Sequence, residues 1–250
     1  MGVSGARSGP ARGAEEAPAV VWHDVECGSY AADLPLWREL AARAGGPVLD
    51  VGAGTGRVAR DLHAHGFDVH ALDVDAQLLA ALNERAPGIP THVADARAFA
   101  LDARFALILA PMQTVQLLGG PRERERFLRC ARRHLEPGGL LAAALANTLD
   151  DFEEGDVVVA PDMRDVDGVV YSSRPTAIRT DGEGFVLERM RERVDHAGTR
   201  TVEANRIRLD RVTTERLNAE AAALGFMPEP ARAIDATEDH VGSEVAILRV

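Results

Sequence analysis

The sequence contains no lysine, so all 28 of its Lys+Arg cations are arginines. That absence excludes Schiff-base enzymes, which need a lysine amine. It also excludes P-loop nucleotide hydrolases, which need the lysine of G-x-x-x-x-G-K-[ST], and protein kinases, which need a strand lysine. Aromatic residues are scarce, at 4%, and the two cysteines, Cys27 and Cys130, are too few for a disulfide framework or a four-ligand zinc set. No stretch approaches the roughly 18 uninterrupted apolar residues that a membrane helix requires, and the first residues lack the apolar core of a secretory signal. With 39 acidic residues against 28 basic ones the net charge is -11, which argues against a general affinity for nucleic acid. Together these features predict a soluble, cytoplasmic protein with no nucleic-acid or membrane partner.

What is present suits one domain with an elaboration: 250 residues, of which 46% are hydrophobic. Residues 1–19, dominated by Gly, Ala, Ser, Pro and Arg, read as a disordered tail. From about Asp33 short apolar runs alternate with helical patterns. Pro47–Val51, Phe67–Leu72, Thr91–Val93, Phe105–Ala110 and Leu140–Ala146 read as strands, with helices expected over Arg57–His65, Ala76–Arg85 and Arg122–Leu135. Glu136-Pro137-Gly138-Gly139 is a helix stop and turn. Strand and helix in alternation predict a doubly wound α/β fold with a mostly parallel sheet over residues 20–150. The texture then changes: Val157–Ala160, Val169–Thr180, Phe185–His196 and Thr201–Val212 read as antiparallel strands separated by glycine turns, although a helix fits Phe185–Val194 equally well. This predicts an antiparallel β insertion over residues 151–212, after the fifth strand. A helix at Thr213–Leu224 and a strand at Val245–Val250 then complete the core over residues 213–250.

The segment Asp50-Val51-Gly52-Ala53-Gly54-Thr55-Gly56 carries the most chemistry. A glycine turn at a strand end lets the backbone approach a ligand, and the helix that follows offers free N–H groups to an anion. Its G-x-G-x-G spacing differs from the dinucleotide G-x-G-x-x-G, and Asp50 is a poor neighbour for a pyrophosphate but a natural partner for an ammonium. Asp73, at the end of the second strand, stands where a carboxylate in this architecture meets ribose hydroxyls. Asp95, beyond the third strand, is placed to accept from an adenine amino group. An ammonium, a carboxylate and a ribose in one ligand describe S-adenosylmethionine.

On these residues the sequence resembles the class I S-adenosylmethionine-dependent methyltransferases from about Tyr30 to the C-terminus. The resemblance implies a Rossmann-like seven-stranded sheet whose last strand is antiparallel. It also implies a cofactor site of Asp50, Gly52, Ala53, Gly54, Gly56, Asp73, Val74, Asp95, Ala96, Leu109 and Ala110, with S-adenosylhomocysteine as product and no metal. The insertion resembles that of glycine and amino-sugar N-methyltransferases. No Asn or Asp opens an N/D-P-P-Y motif at Ala110-Pro111-Met112-Gln113, which counts against methylation of DNA bases or glutamine. A small-molecule acceptor bearing an amine, hydroxyl or carboxyl remains, with Gln113, Asn147, Tyr171 and Arg174 as candidate substrate contacts and His240 and Tyr30 as candidate catalytic groups. Alternatives on the same fold are a cofactor-binding protein without methyl turnover (a cyclase, decarboxylase or regulator) and, more remotely, a nicotinamide oxidoreductase. Arg122–Arg126 reads as a solvated charged helix face, and a sheet edge in the insertion offers a surface for a homodimer.

Overall fold

Apolar runs separated by helical stretches cannot pair through tight turns, so a parallel sheet covered by helices is the arrangement that follows. In the computed structural model, which describes residues 18–146, 149–154, 160–182, 184–237 and 240–250, that sheet has seven strands. Strands β1 (Val48–Val51), β2 (Val69–Asp73), β3 (Thr91–Val93), β4 (Phe105–Ala110) and β5 (Leu135–Leu145) run parallel to one another. The chain then builds a separate four-stranded antiparallel sheet from β6 (Asp162–Val166), β7 (Val169–Asp181), β8 (Gly184–Val194) and β9 (Arg200–Asp210). It returns to the first sheet with β10 (Met227–Ile234) and β11 (Ser243–Arg249), giving the order β10-β11-β5-β4-β1-β2-β3 with β11 antiparallel to both its neighbours. The order reverses at β1, which pairs with both β2 and β4, and the crevice at that switch point is where doubly wound sheets bind ligands.

Alternating residues of the strands feed two cores. Val48, Val69 and Leu107 pack under helices α2 (Leu34–Ala44), α3 (Arg57–Ala64) and α4 (Ala76–Arg85), with Trp37 fully buried among them. Leu49, Ile108 and Leu141 pack on the other face under α5 (Pro121–His134) and α6 (Thr214–Ala222). Cys130, on α5, is buried in that second core, and desolvation pushes its thiol up. Among the described residues no helix is long and apolar enough to cross a membrane.

Several expectations change. Helix α1 (Pro18–Cys27) precedes the core and begins inside the stretch read as tail; residues 1–17 lie outside the described residues. Val20, Val21, Trp22, Asp24 and Val25 are all buried, because α1 is wedged between the core and the second sheet. The strand expected at Val157–Ala160 falls largely outside the described residues; the described strand nearby is Asp162–Val166. Phe185–Val194 is a strand, held by β7 on one side and β9 on the other. The Glu136–Gly139 turn sits inside β5 as an excursion, where pairing with β4 jumps from Leu135 to Leu140. Arg124 is not solvated: it is 1% exposed and forms ion pairs with Asp210 at 2.9 Å and Glu220 at 2.7 Å. The two carboxylates come from β9 and α6, so the arginine locks the insertion's last strand to the core.

Candidate active site

The backbone dictates the glycine loop. Leaving β1, the N–H groups of Gly52 and Ala53 both donate to the Leu72 carbonyl, at 2.8 and 3.1 Å, which turns the chain back over the end of β2. Gly52, Gly54 and Gly56 then adopt φ of +72°, +56° and +86°, the left-handed region that other L-residues adopt at a cost. There is also no room for side chains. A Cβ at Gly52 would lie 2.7 Å from the Thr114 Oγ1, one at Gly54 would overlap the His23 ring, and one at Gly56 would overlap Leu82. The short 3-10 turn after β4, helix α1 and helix α4 thus close on the loop from three sides, and α3 begins immediately beyond it with no side-chain cap.

The three predicted acids sit in different environments. Asp50 is 1% exposed; its Oδ2 accepts from the Ala59 N–H at 3.0 Å, while its Oδ1 has no hydrogen-bond partner among the described residues. Desolvation pushes its carboxyl up to about 7, only partly opposed by the Arg57 guanidinium. Asp73 is also buried, and it organises the loop: Oδ2 accepts from Gly54 N–H at 2.8 Å and Oδ1 from Asp75 N–H at 2.9 Å. A carboxylate oxygen retains a second lone pair beyond each of these bonds. Asp95 is half-exposed and chelated by its own neighbour, with Arg97 Nη2 on Oδ2 at 2.6 Å and Arg97 Nε on Oδ1 at 2.8 Å. That arginine holds its carboxyl down at about 2.

The remaining cofactor candidates provide backbone and shape. Leu109 and Ala110 are fully buried in the two cores, Ala53 is nearly so, and Val74 is largely exposed beside Asp73. Ala94 N–H donates to the Asp73 carbonyl at 2.9 Å, which keeps the segment carrying Asp95 and Ala96 alongside β2.

On the acceptor side, Tyr30 and His240 come together with ring centroids 4.8 Å apart. The Tyr30 hydroxyl is buried and has no hydrogen-bond partner among the described residues, and Arg57, paired to Asp33, lies over its ring. Gln113 stands at the N-cap position of the 3-10 turn whose Thr114 abuts Gly52, without a side-chain capping bond. Asn147 lies outside the described residues. Tyr171 and Arg174 part company, since residues of opposite parity on a strand face opposite sides. Tyr171 meets Trp22 of α1 edge-on at 5.2 Å, whereas Arg174 pairs with the exposed Glu154.

Sequence reasoning missed the contribution of α1. The Thr55 hydroxyl, in the glycine loop, donates to Asp24 Oδ1 at 2.6 Å, and His23 Nδ1 lies 3.3 Å from the same hydroxyl oxygen. Asp24 is further paired with Arg85 of α4 and Arg164 of β6. Glu26 pairs with Arg191 of β8 at 2.7 Å and accepts from the Ser173 hydroxyl of β7 at 2.8 Å. One helix therefore ties the loop, the core and the second sheet together. Gln116 was also missed. It is 1% exposed and bridges β5 to β9, accepting from Ala146 N–H and donating to the Ala146 and Asp210 carbonyls.

These residues suit a ligand carrying an ammonium and a vicinal diol. Among the described residues no donor meets Asp50 Oδ1, Asp73 has spare lone pairs for hydroxyls, and the glycines add no side chains of their own to the loop. Among the described residues no group of three or more His, Cys, Asp or Glu side chains is placed to hold a metal ion.

Comparison with known proteins agrees with this geometry. A family model described as a methyltransferase domain matches residues 48–139, from the first residue of β1 to the last glycine of the Glu136–Gly139 turn. The dTDP-3-amino-3,6-dideoxy-alpha-D-glucopyranose N,N-dimethyltransferase of Streptomyces fradiae is 30% identical over 111 residues, 44% of each chain. The dTDP-3-amino-3,4,6-trideoxy-alpha-D-glucopyranose N,N-dimethyltransferase of Streptomyces venezuelae is 28% identical over 51% of this chain and 55% of its own. The chain thus spans about half the length of these curated relatives. Among solved structures, SAM-bound CalS10, an amino pentose methyltransferase from Micromonospora echinaspora, superposes with a TM-score of 0.70 at 24% identity over 92% of this chain and 97% of its own. With its glycine loop, its strand order and a methyltransferase-domain match over residues 48–139, the chain is similar to the class I S-adenosylmethionine-dependent methyltransferases.

Proposed function

We propose that this protein transfers the methyl group of S-adenosylmethionine to the amine of a small acceptor, and that the acceptor is of the amino-sugar class. The observation that carries the reading is the pairing of an orphaned buried Asp50 with a loop-anchored Asp73 at the switch point of the sheet. In this reading Asp50 meets the cofactor's ammonium, Asp73 its ribose hydroxyls and the segment Asp95-Ala96 its adenine. When bound, the cofactor supplies a methyl carbon activated by a sulfonium leaving group. The protein's own contribution is positioning, which in favourable cases is worth about 7–11 kcal/mol. The glycine loop, with Thr114 and His23 against it, fixes where that carbon is presented.

The unit division follows from the same reading: a cofactor-binding core at 20–150, an acceptor-side insertion at 151–212, and a closing segment at 213–250. The curated relatives named above act on dTDP-linked amino sugars, and this supports an acceptor that is itself anionic through its diphosphate. In a lysine-free chain the grip on such a group falls to arginine, whose planar fork suits phosphate. A cytoplasmic, small-molecule enzyme able to pair through the free edge of the second sheet completes the proposal. The test is incubation with S-adenosylmethionine labelled in its methyl group and dTDP-3-amino-3,6-dideoxyglucose: label is expected on the sugar nitrogen. Label on a phenol or carboxylate acceptor and not on any amine would overturn the acceptor class.

A further inference from the structure

Side chains of helix α1 touch both the glycine loop and the second sheet, and its His23 sits at the junction. The protonation of that ring is fixed by its neighbours. The Thr55 hydroxyl has one proton, which it donates to Asp24 Oδ1 at 2.6 Å, so towards His23 Nδ1, 3.3 Å away, the hydroxyl oxygen is an acceptor. Nδ1 therefore carries the imidazole hydrogen and Nε2 carries the lone pair. The ring packs over Gly54 by its Nε2–Cε1 side, the two atoms that a Cβ there would strike first, so Nε2 lies beside the middle of the glycine loop, with no hydrogen bond to it among the described residues. Asp24 is itself immobilised by Arg85 and Arg164, which makes the Asp24–Thr55–His23 chain a fixed relay.

We propose that His23 is the proton acceptor for the methyl acceptor amine, held in the Nδ1–H tautomer by Thr55 and Asp24. The inference deepens the function proposed above and rests on it. An alkylamine resembles a lysine side chain, whose pKa is about 10.4, and so arrives as an ammonium without a lone pair. In the step, an ammonium N–H bond breaks and its proton moves to His23 Nε2. The freed nitrogen pair forms the bond to the methyl carbon, and the carbon–sulfur bond breaks with its electron pair remaining on sulfur, which becomes a neutral thioether.

The surroundings keep the imidazole neutral and ready. Burial lowers the His23 pKa below 6.5, against the raising influence of Asp24 and Glu26 on its own helix and of Asp73 at the end of β2; Arg57 of α3 lowers it further. From the second sheet, Arg164 and Arg191 are already committed to Asp24 and Glu26. The Tyr30–His240 pair offers no such relay: its tyrosine hydroxyl is unpartnered among the described residues, and the His240 Nδ1 lies 3.5 Å from the exposed Thr237 hydroxyl.

The experiment compares full-length wild type, His23→Gln and His240→Asn, with dTDP-3-amino-3,6-dideoxyglucose as acceptor and S-adenosylhomocysteine as the binding probe. For His23→Gln, kcat is expected to fall about 100-fold, with the acidic limb of its pH profile abolished and the affinity for S-adenosylhomocysteine kept within about threefold. His240→Asn is expected to keep the limb. Nitrogen-15 spectra of the wild-type complex with S-adenosylhomocysteine should show His23 neutral at pH 7.5 with its hydrogen on Nδ1. A protonated ring, or one with its hydrogen on Nε2, overturns the proposal whether or not the acceptor turns over. An unchanged pH profile in His23→Gln, or a loss confined to S-adenosylhomocysteine affinity, also overturns it. Failure of the wild type to bind S-adenosylhomocysteine would instead remove the underlying function.

Discussion

Asp73 Oδ2 accepts the backbone N–H of Gly54 at 2.8 Å, so the acid that ends the second strand also holds the middle of the loop that leaves the first. A single carboxylate thereby shapes the cradle and, in the proposed function, faces the ligand. Replacement by alanine is expected to remove both. Charge-assisted hydrogen bonds contribute about 1.5–3 kcal/mol each, so Asp73→Ala should weaken S-adenosylhomocysteine at least about tenfold by calorimetry. Asp73→Asn, which keeps one acceptor oxygen for the loop, should lose less. Equal affinity in all three proteins would remove Asp73 from the site.

Gly54 is constrained by its backbone, at φ +56°, and by the His23 ring standing where a Cβ would go. Gly54→Ala must displace α1 as well as strain the loop. The expected outcome is a protein with unchanged far-ultraviolet circular dichroism whose α1 is cut faster by protease and whose affinity for S-adenosylhomocysteine falls by roughly tenfold or more. Protection of α1 at the wild-type level would contradict the contact.

Burial raises the Asp50 carboxyl from 3.8 to about 7, so folding favours its protonated form. The corresponding stability is fully present below about pH 4 and is lost as pH rises through about 7. Asp50→Asn should therefore be more stable than wild type at pH 8, on the order of 2 kcal/mol, with the difference vanishing near pH 4. Ligand binding works in the opposite direction: an ammonium beside Asp50 lowers its pKa, so S-adenosylhomocysteine binding near pH 6.5 should release a fraction of a proton. Titrations in buffers of different ionisation enthalpy measure that release, and its absence would place the ammonium elsewhere.

Much of the framework of this candidate site was legible in the sequence because its determinants are local. Strand, glycine turn, helix and the acid of the next strand lie within Val48 to Asp73, and the structure places each within a residue or two of expectation. What was hidden depends on residues far apart in the chain. Helix α1 packs against the core and the second sheet and spends His23, Asp24 and Glu26 on contacts with them, so its polar residues do not form a solvated face that would give a helical period. Strand β10 contains Pro228 and Pro230, which argue against a strand in sequence but are tolerated at the edge of the sheet, where Pro228 faces Leu248 and a bulge between Glu229 and Arg232 absorbs Pro230. Arg124 looked like one charge in an alternating run because its partners lie 86 and 96 residues away.

That arginine carries its own prediction. Removing one partner from a buried ion network leaves the others uncompensated, at a cost of about 3–5 kcal/mol. Arg124→Ala should lower the melting temperature by about 6–20 °C for a chain of this size. Exposed Arg129, paired only along its own helix with Glu125, should cost little on replacement by alanine. Equal losses at both positions would contradict the locking role assigned to Arg124.

The central claim is that the crevice beyond β1 and β2 takes S-adenosylmethionine and not a dinucleotide. Calorimetric titration of the wild-type protein with S-adenosylhomocysteine, and in parallel with NAD, tests it most directly. Saturable, one-to-one binding of S-adenosylhomocysteine and none of NAD is expected; binding of NAD alone, or of neither, would contradict a methyl-donor site in this crevice.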